Sequence, residues 1–250
     1  MEPPPIALVV ALSQERRALQ RVLCSPRRAW AEDFPLLRGE LAGRPVLLIQ
    51  AGIGRDRAGR ALLTASRRFS FRAAWSVGFA GGLVDSLGPG DLVVPSVVLD
   101  DDRLAGRPVA SASGQEAVRA ALAAAGIVSH GGSLLTVDGP LRTPETKRAA
   151  HARAGAVAVD MEAAGVAEAA ETLGIPWLAI KAVVDPVDEA LPGFLSGCTT
   201  CRGDLRWRGL LWSLAAGSRR RALCRLARAS RLAALTLRRG LEAAMPVWSP

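Results

Sequence analysis

Residues 156–188 read AVAVDMEAAGVAEAAETLGIPWLAIKAVVDPVD, and this pattern predicts how the rest of the chain is arranged. A short apolar run of strand type, Ala156–Val159, precedes a series of good helix formers that extends from Ala163 to Leu173. A glycine and a proline end that helix, and a second apolar run, Trp177–Val184, leads to Asp185. The order strand, helix, strand is typical of parallel strands joined by a crossover helix in an α/β fold.

Two acidic residues of this stretch follow the two predicted strands. Glu162 comes just after the first strand, and Asp185 comes just after the second. If the strands are parallel, both carboxylates lie at the same edge of the sheet, where open α/β sheets bind their ligands. Two carboxylates in one crevice indicate acid–base chemistry. The alternative is that both are solvated surface residues at strand ends.

Length and composition favour one large α/β domain. A chain of 250 residues is long enough for a full core, and although half of it is hydrophobic, no apolar run approaches the ~20 residues of a membrane span. The opening MEPPP has no basic region, so we expect no signal peptide. Four cysteines, at positions 24, 198, 201 and 224, are too few for a disulfide framework. A cytoplasmic location is therefore expected.

The formal net charge of +9 is confined to the last fifth of the chain. Residues 201–250 hold eleven arginines, no lysine and two acids, so residues 1–200 balance to zero. A basic body for nucleic acid is therefore not indicated. We predict a catalytic domain over residues 1–203 and an Arg-rich helical extension over residues 204–250 that completes the domain or is appended to it.

The extension has an amphipathic pattern from Arg219 onward. At 100° per residue one face of the predicted helix is apolar: Leu223, Leu226, Ala227, Ala234, Leu237 and Leu241. Arginines cover the other face, together with Leu232 and Leu235, so the pattern is imperfect. Two interpretations remain open: a terminal helix packed on the sheet with solvated arginines, or a helix lying on an anionic membrane surface through residues 219–241.

Further motifs lie upstream. The apolar run Ile6–Leu12 predicts a buried first strand, and Ser13 is a plausible helix N-cap with Glu15 in the first turn. The helix dipole favours an anion at Glu15, which is the plain structural explanation for it. A glycine-rich loop, GFAGGLVDSLGPGDLVVP, follows a further strand that begins at Ala73.

Together these motifs resemble the nucleoside phosphorylase/nucleosidase superfamily over roughly residues 6–192. The segment VDMEAAGVAEAAETLGIPWLAIKAVVD, the ALSQE motif, the glycine turn at Gly52 and Gly54, and GFAGGL each match a motif of that family. The most similar well-known branch is the methylthioadenosine/S-adenosylhomocysteine nucleosidases. The resemblance implies a three-layer α/β/α fold with a mixed central sheet, and an oligomer.

The resemblance also implies the role of each carboxylate. Asp185 is the general acid that protonates the leaving base near N7, and the apolar residues before it would raise its pKa by burial. Glu162 stabilises the ribosyl cation at the 2′- and 3′-hydroxyls, and Glu15 activates the attacking water. No metal or organic cofactor is implied. The isolated His130 and His151 have no ligand spacing around them.

The same family pattern predicts eight residues that contact the substrate: Gly78, Phe79, Ala80, Gly81, Thr136, Leu141, Asp160 and Met161. The chain departs from the pattern at two positions, one of them among these eight. Phe79 stands where the nucleosidases commonly have Ser, and Pro140-Leu141 lacks the usual aromatic residue beside the base.

The implied function is hydrolysis of a purine nucleoside with release of adenine. Phosphorolysis is less favoured because the arginines of residues 55–72 lack the spacing of the phosphorylases. Phe79, the altered base loop and the Arg-rich tail look similar to the hopanoid-associated branch, whose nucleosidase removes adenine from adenosylhopane. The alternatives are a methylthioadenosine-type nucleosidase, a phosphorylase, and a nucleoside-binding protein without turnover. The spacing of Cys198 and Cys201 also allows a metal or redox site, although a loop is favoured.

Overall fold

The computed structural model describes residues 3–103, 110–111, 114–191 and 217–249. Its strands form one mixed sheet: β1 Ile6–Val10, β2 Cys24–Ala31, β3 Phe34–Leu41, β4 Arg44–Gln50, β5 Ala73–Gly82, β6 Leu92–Val93, β7 Val97–Asp100, β8 Ala110–Ser111, β9 Ser129–His130, β10 Ser133–Thr136, β11 Ala158–Asp160 and β12 Trp177–Asp185. Its helices are α1 Ser13–Gln20, α2 Arg55–Ser66, α3 Gln115–Ala124, α4 Pro144–Ala154, α5 Ala163–Thr172 and α6 Gly217–Val247, with a 3₁₀ turn at Asp101–Arg103.

Strand β5 is the central element of the sheet. It lies parallel to β1 and to β12, and its last residues pair antiparallel with β11. The main path of the sheet runs β2-β3-β4-β1-β5-β11-β10-β7-β8, with β12, β6 and β9 branching from β5. Because β5 is covered on both faces, its sequence is a continuous run of small and apolar residues rather than an alternating one.

One step of the sequence argument is wrong. We expected β11 and β12 to be parallel strands of one strand–helix–strand unit, but they pair with β5 in opposite directions. Both nevertheless meet β5 at the same place, because Val159 of β11 and Asp185 of β12 are each in register with Gly81. The two acidic strand ends therefore converge on the end of β5.

The helices form two groups on the sheet. Helix α2 packs against α5, and α6 packs against α1, α3 and β12. The contact of α2 with α5 is very close, since a Cβ at Gly165 would lie 2.0 Å from the carbonyl oxygen of Arg55. Glycine is required there because the two backbones touch. The predicted α/β/α fold with a mixed sheet is confirmed.

The last helix is fixed to the domain along its second half. Its buried apolar positions recur every three or four residues as far as Ala244, with Met245 beside it: Ala229, Ala233, Leu237, Leu241, Ala244 and Met245. Trp248 then packs edge-to-face on Trp75 at 5.4 Å, and the guanidinium of Arg44 donates to the carbonyls of Pro246 and Trp248. By contrast, no residue between Arg221 and Arg228 is fully buried.

These contacts correct part of the expected apolar stripe. Leu237 and Leu241 face the domain with no exposed surface, so they cannot contact a lipid surface. The predicted boundary at residue 203 lies outside the described residues. Within the part of the chain that the structure describes, no helix is long and apolar enough to cross a membrane.

Candidate active site

Glu15 lies in the first turn of α1 and points back into the protein. It is 2% exposed, and both of its carboxylate oxygens accept backbone hydrogen bonds. Oε2 accepts from the N–H groups of Ala11 at 2.9 Å and Leu12 at 2.8 Å, and Oε1 accepts from the N–H of Phe79 at 2.8 Å. Burial raises the pKa of Glu15, while these N–H groups oppose the rise. The side chain is thus held rigidly against β5.

The glycines of β5 make room for two of the carboxylates. A Cβ at Gly78 would lie 2.7 Å from Oε1 of Glu15, and a Cβ at Gly81 would lie 3.1 Å from Oδ2 of Asp185. The sequence argument assigned these glycines to substrate contact. The structure adds a steric reason for them, because any side chain at Gly78 would displace the Glu15 carboxylate.

Asp185 ends β12 and is paired with a buried lysine. Lys147 of α4 has no exposed surface, and its ammonium nitrogen lies 2.7 Å from Oδ2 of Asp185. The same ammonium group donates to the carbonyl oxygens of Pro186 at 2.7 Å and Glu189 at 2.9 Å. Burial raises the pKa of Asp185 to about 6, against the opposing effect of Lys147. Lys147 therefore fixes both the carboxylate and the backbone that carries it.

Glu162 stands at the N-terminus of α5, with Oε1 accepting the N–H of Gly54 at 3.0 Å. Burial raises the pKa of Glu162 to about 7, and the neighbouring carboxylates of Asp160 and Glu15 act in the same direction. Lys181 opposes this rise. Glu15, Asp160 and Glu162 thus share the one buried ammonium group of Lys181, so the three carboxyl groups cannot all be ionised without cost.

Lys181 holds this acidic cluster together. Its ammonium nitrogen lies 2.7 Å from Oδ2 of Asp160, and it is 2% exposed. Burial alone would lower the pKa of Lys181, yet the carboxylates of Asp160 and Glu162 hold it above the usual value. The lysine stays charged and offsets part of the negative charge beside Glu162.

Asp160 and Thr136, both predicted to contact substrate, are buried and bonded to each other. The Thr136 hydroxyl donates to Oδ1 of Asp160 at 2.7 Å and accepts the N–H of Ala164 at 3.0 Å. Oδ2 of Asp160 accepts the N–H of Ala163 at 2.9 Å. These bonds satisfy two of the free N–H groups of the first turn of α5, those of Ala163 and Ala164, and thereby position Glu162. Direct contact of Asp160 or Thr136 with a substrate remains a prediction.

The apolar residues predicted to contact substrate lie near the same strand ends. Met161 and Leu141 are half-buried and pack on one small cluster that includes Leu135 and Val159. Phe79 is half-buried against the main core, and Ala80 beside it is 4% exposed. Their contact with a nucleoside remains a prediction, but the cluster that Met161 and Leu141 pack on includes Val159, which is in register with Gly81 as Asp185 is, and the N–H of Phe79 donates to Glu15.

Arg55, which follows the glycine turn, is already paired with acidic groups. Its guanidinium donates to both oxygens of Asp100 at 2.6 and 2.7 Å and to Asp102 at 3.0 Å. Burial acts to lower the pKa of Arg55, but Asp100 and Asp102 raise it above the usual value. This fork-to-carboxylate pairing occupies the donors that an anionic co-substrate would need.

Two charged residues of the site escaped sequence reasoning. Lys181 could have been identified from the sequence, since it is the only charge within the apolar run Trp177–Val184. A lysine is rarely buried unless it is paired, so this position indicates an acidic partner. Lys147 could not have been identified, because nothing in the local pattern TPETKRAA indicates a buried charge. For metals, the described residues contain no group of three or more His, Cys, Asp or Glu that could hold an ion. Cys198 and Cys201 lie outside the described residues.

Comparisons with known proteins agree with this fold. The family model for the phosphorylase superfamily matches residues 5–196. A 5′-methylthioadenosine/S-adenosylhomocysteine nucleosidase from Shewanella denitrificans is 27% identical over 203 residues, or 75% of this chain and 88% of the relative. The nucleosidase of the same name from Mycobacterium bovis is 28% identical over 216 residues, or 72% and 85%.

Solved structures give the same result for the architecture. The Neisseria meningitidis 5′-methylthioadenosine/S-adenosylhomocysteine nucleosidase, in complex with methylthio-immucillin-A, superposes with a TM-score of 0.75 at 22% identity. The alignment covers 97% of this chain and 99% of that one. Futalosine hydrolase of Helicobacter pylori gives 0.76 at 17% identity and covers 97% of each chain.

Proposed function

The chain belongs to the phosphorylase superfamily, and from this membership we propose that it hydrolyses the N-glycosidic bond of a 5′-substituted adenosine and releases adenine. The predicted superfamily is confirmed by the family match, and the nucleosidase relatives support the predicted enzyme class, an N-glycosidic hydrolase. The observation that carries the proposal is the convergence of three buried carboxyl groups of raised pKa at β5: Glu15, Glu162 and Asp185.

Each group has a distinct task in the proposed reaction. Asp185 gives its proton to the departing adenine, and its raised pKa lets it carry that proton near neutral pH. The ribose becomes cation-like as the bond breaks, and ionised Glu162 offsets that charge at the hydroxyl side. Glu15 takes the proton of the attacking water. The positions of the two groups along β5 support this division. Asp185 is in register with Gly81, whereas Glu15 contacts Gly78. The two carboxyl groups therefore approach β5 three residues, or roughly 10 Å, apart.

The pH dependence follows from these pKa values. The reactive form needs protonated Asp185, with a pKa of about 6, and ionised Glu162, with a pKa of about 7. The first fraction falls as pH rises and the second grows, so kcat/KM should be bell-shaped with a maximum near pH 6.5, midway between the two values. Steady-state rates from pH 5 to 9 test this, and a rate that still increases at pH 9 would contradict it.

Lys147→Met should move that pH optimum upward. Lys147 stabilises ionised Asp185, so its removal raises the pKa of Asp185 and keeps the acid protonated to higher pH. The readout is the position of the optimum rather than the rate, because loss of packing alone would lower the rate at every pH. Arg148→Met is the matched control, since Arg148 is the next residue of α4 but pairs with exposed Asp188. An unchanged optimum in Lys147→Met would remove Lys147 from the control of Asp185.

Hydrolysis is proposed over phosphorolysis because of Arg55. Its guanidinium is held by Asp100 and Asp102, and Phe79 supplies a ring where a hydroxyl donor would otherwise stand. A panel of 5′-substituted adenosines, incubated with and without phosphate, should give adenine and the free sugar in both conditions. Formation of the sugar 1-phosphate would establish the alternative phosphorylase, and binding without adenine release would establish a non-catalytic nucleoside-binding protein.

For the 5′ substituent we propose a lipid, as in adenosylhopane, and a peripheral position at the inner face of the membrane. The support is the placement of α6. Its buried half is anchored at Trp248, whereas Arg225 in its exposed half lies 4.0 Å from Glu189, just after Asp185. The basic end of the helix is therefore beside the loop that carries the general acid. A methylthioadenosine-type substrate is the alternative that the panel distinguishes. We also propose that the chain forms a homo-oligomer and that it does not bind nucleic acid.

A further inference from the structure

A basic groove lies between α1 and α6, on a part of the surface that the proposed reaction does not use. Its cavity volume is about 400 Å³. Arg17 and Arg21 line it from the side of α1, and Arg231 and Arg238 line it from α6. None of the lining residues is acidic. Glu242, one turn beyond Arg238, is the acid of that helix face and does not line the groove.

Some N–H donors of the groove arginines have no hydrogen-bond partner among the described residues. Each guanidinium has five N–H donors in a fork that fits phosphate oxygens. Nε of Arg238 is buried and has no hydrogen-bond partner among the described residues. Arg17 donates to the carbonyl and the hydroxyl of Ser13, both at 3.1 Å. Four like charges around one cavity repel each other, and a bound anion would relieve that repulsion.

Exposed leucines adjoin these arginines. Leu235 lines the groove and is 44% exposed. Leu232, one turn earlier, lies outside the groove lining; it packs in part against Gly90 and is 47% exposed. Leu237 and Leu241 hold the opposite side of α6 against the domain, so Leu235 faces away from the core. Arginines with large apolar side chains among them match a molecule that carries both a phosphate and an acyl chain. A site for free phosphate alone would gain nothing from exposed leucine side chains.

We propose that the α1–α6 groove binds the phosphate of an anionic phospholipid headgroup, with Leu232 and Leu235 at the headgroup–acyl boundary of the bilayer. This site lies on the side of α6 that carries Arg231 and Leu235, which the sequence pattern placed opposite the apolar face. It goes beyond the proposed reaction, because it does not depend on which nucleoside the active site accepts. Lipid bound there would hold the exposed half of α6, with Arg225, against the membrane near the loop after Asp185.

Vesicle cosedimentation with the full chain tests the site. The double variant Arg21→Gln/Arg231→Gln removes two exposed groove charges, and Arg27→Gln/Arg72→Gln removes two exposed charges elsewhere as the control. On vesicles of phosphatidylglycerol and phosphatidylcholine at low salt, the groove variant should partition roughly 30-fold more weakly than the unaltered protein, at about 1 kcal/mol for each arginine. Leu235→Gln should weaken binding with the charge unchanged, and all variants should release adenine from soluble nucleosides at the normal rate.

Three results would overturn the proposal. Equal weakening in the groove and control variants would mean that net charge alone attracts the protein. Equal binding by the groove variant and the unaltered protein would place the contact elsewhere. Undiminished vesicle binding by Leu235→Gln, together with binding of inorganic phosphate by the unaltered protein that the groove variant loses, would identify a site for free phosphate. Failure of adenine release in the unaltered protein would contradict the proposed reaction and leave the vesicle result to stand alone.

Discussion

Asp185→Asn is expected to reduce adenine release by at least ~10²-fold while the protein stays folded. The amide has nearly the shape of the carboxyl group but cannot deliver a proton to the leaving base. The fold should tolerate the change because Lys147 keeps the carbonyl oxygens of Pro186 and Glu189 as acceptors, and the amide oxygen of Asn can replace Oδ2. Adenine release by the purified variant, measured at pH 6.5, gives the rate.

Asp188→Asn is the matched control for that experiment. Asp188 lies three residues further along, is exposed, and pairs with Arg148 at the surface. Its substitution should leave the rate within a factor of two or so, as expected for a surface ion pair. A rate for Asp185→Asn within tenfold of the unaltered enzyme, with an unchanged melting temperature, would show that the leaving base obtains its proton elsewhere.

The sequence predicted the elements that carry the site because the apolar runs there are unambiguous. The run Trp177–Val184 became β12 and the helix formers from Ala163 became α5. What the pattern could not predict was strand direction, since an apolar run has the same composition in parallel and antiparallel pairing. The three-residue β11 therefore appeared to be a parallel partner of β12, whereas it pairs antiparallel with the end of β5.

Exposed elements and distant partners were harder to predict. Strand β2 has the sequence CSPRRAWA and only one buried residue, so it shows no alternation, and it exists because β3 pairs with it. Lys147 reaches Asp185 across 38 residues, and no local pattern reports such a contact. Helix α6 has leucines on two faces, and only the packing of Leu237 and Leu241 on the domain decides which face is buried.

Glu162→Gln is expected to reduce turnover on the order of 10²-fold, because a neutral amide no longer offsets the positive charge that develops on the ribose. The substitution should preserve the local structure, since the amide oxygen can still accept the N–H of Gly54. Lys181 would remain paired with Asp160 at 2.7 Å. Glu171→Gln, at an exposed position of the same helix, is the control and should keep full activity.

Thermal unfolding at pH 8 separates a catalytic role of Glu162 from a structural one. The pKa of Glu162 is raised from 4.5 to about 7 by burial, so folding favours its protonated form. The stability that this group contributes is present below pH 4.5 and is lost as pH rises through about 7.

Above pH 7 the unaltered protein must bury an ionised carboxylate that the glutamine variant lacks. Glu162→Gln should therefore melt at the same temperature or higher at pH 8, although its turnover is low. A large fall in melting temperature at pH 8 with near-normal turnover would instead mean that ionised Glu162 serves the fold and that another group stabilises the ribosyl cation.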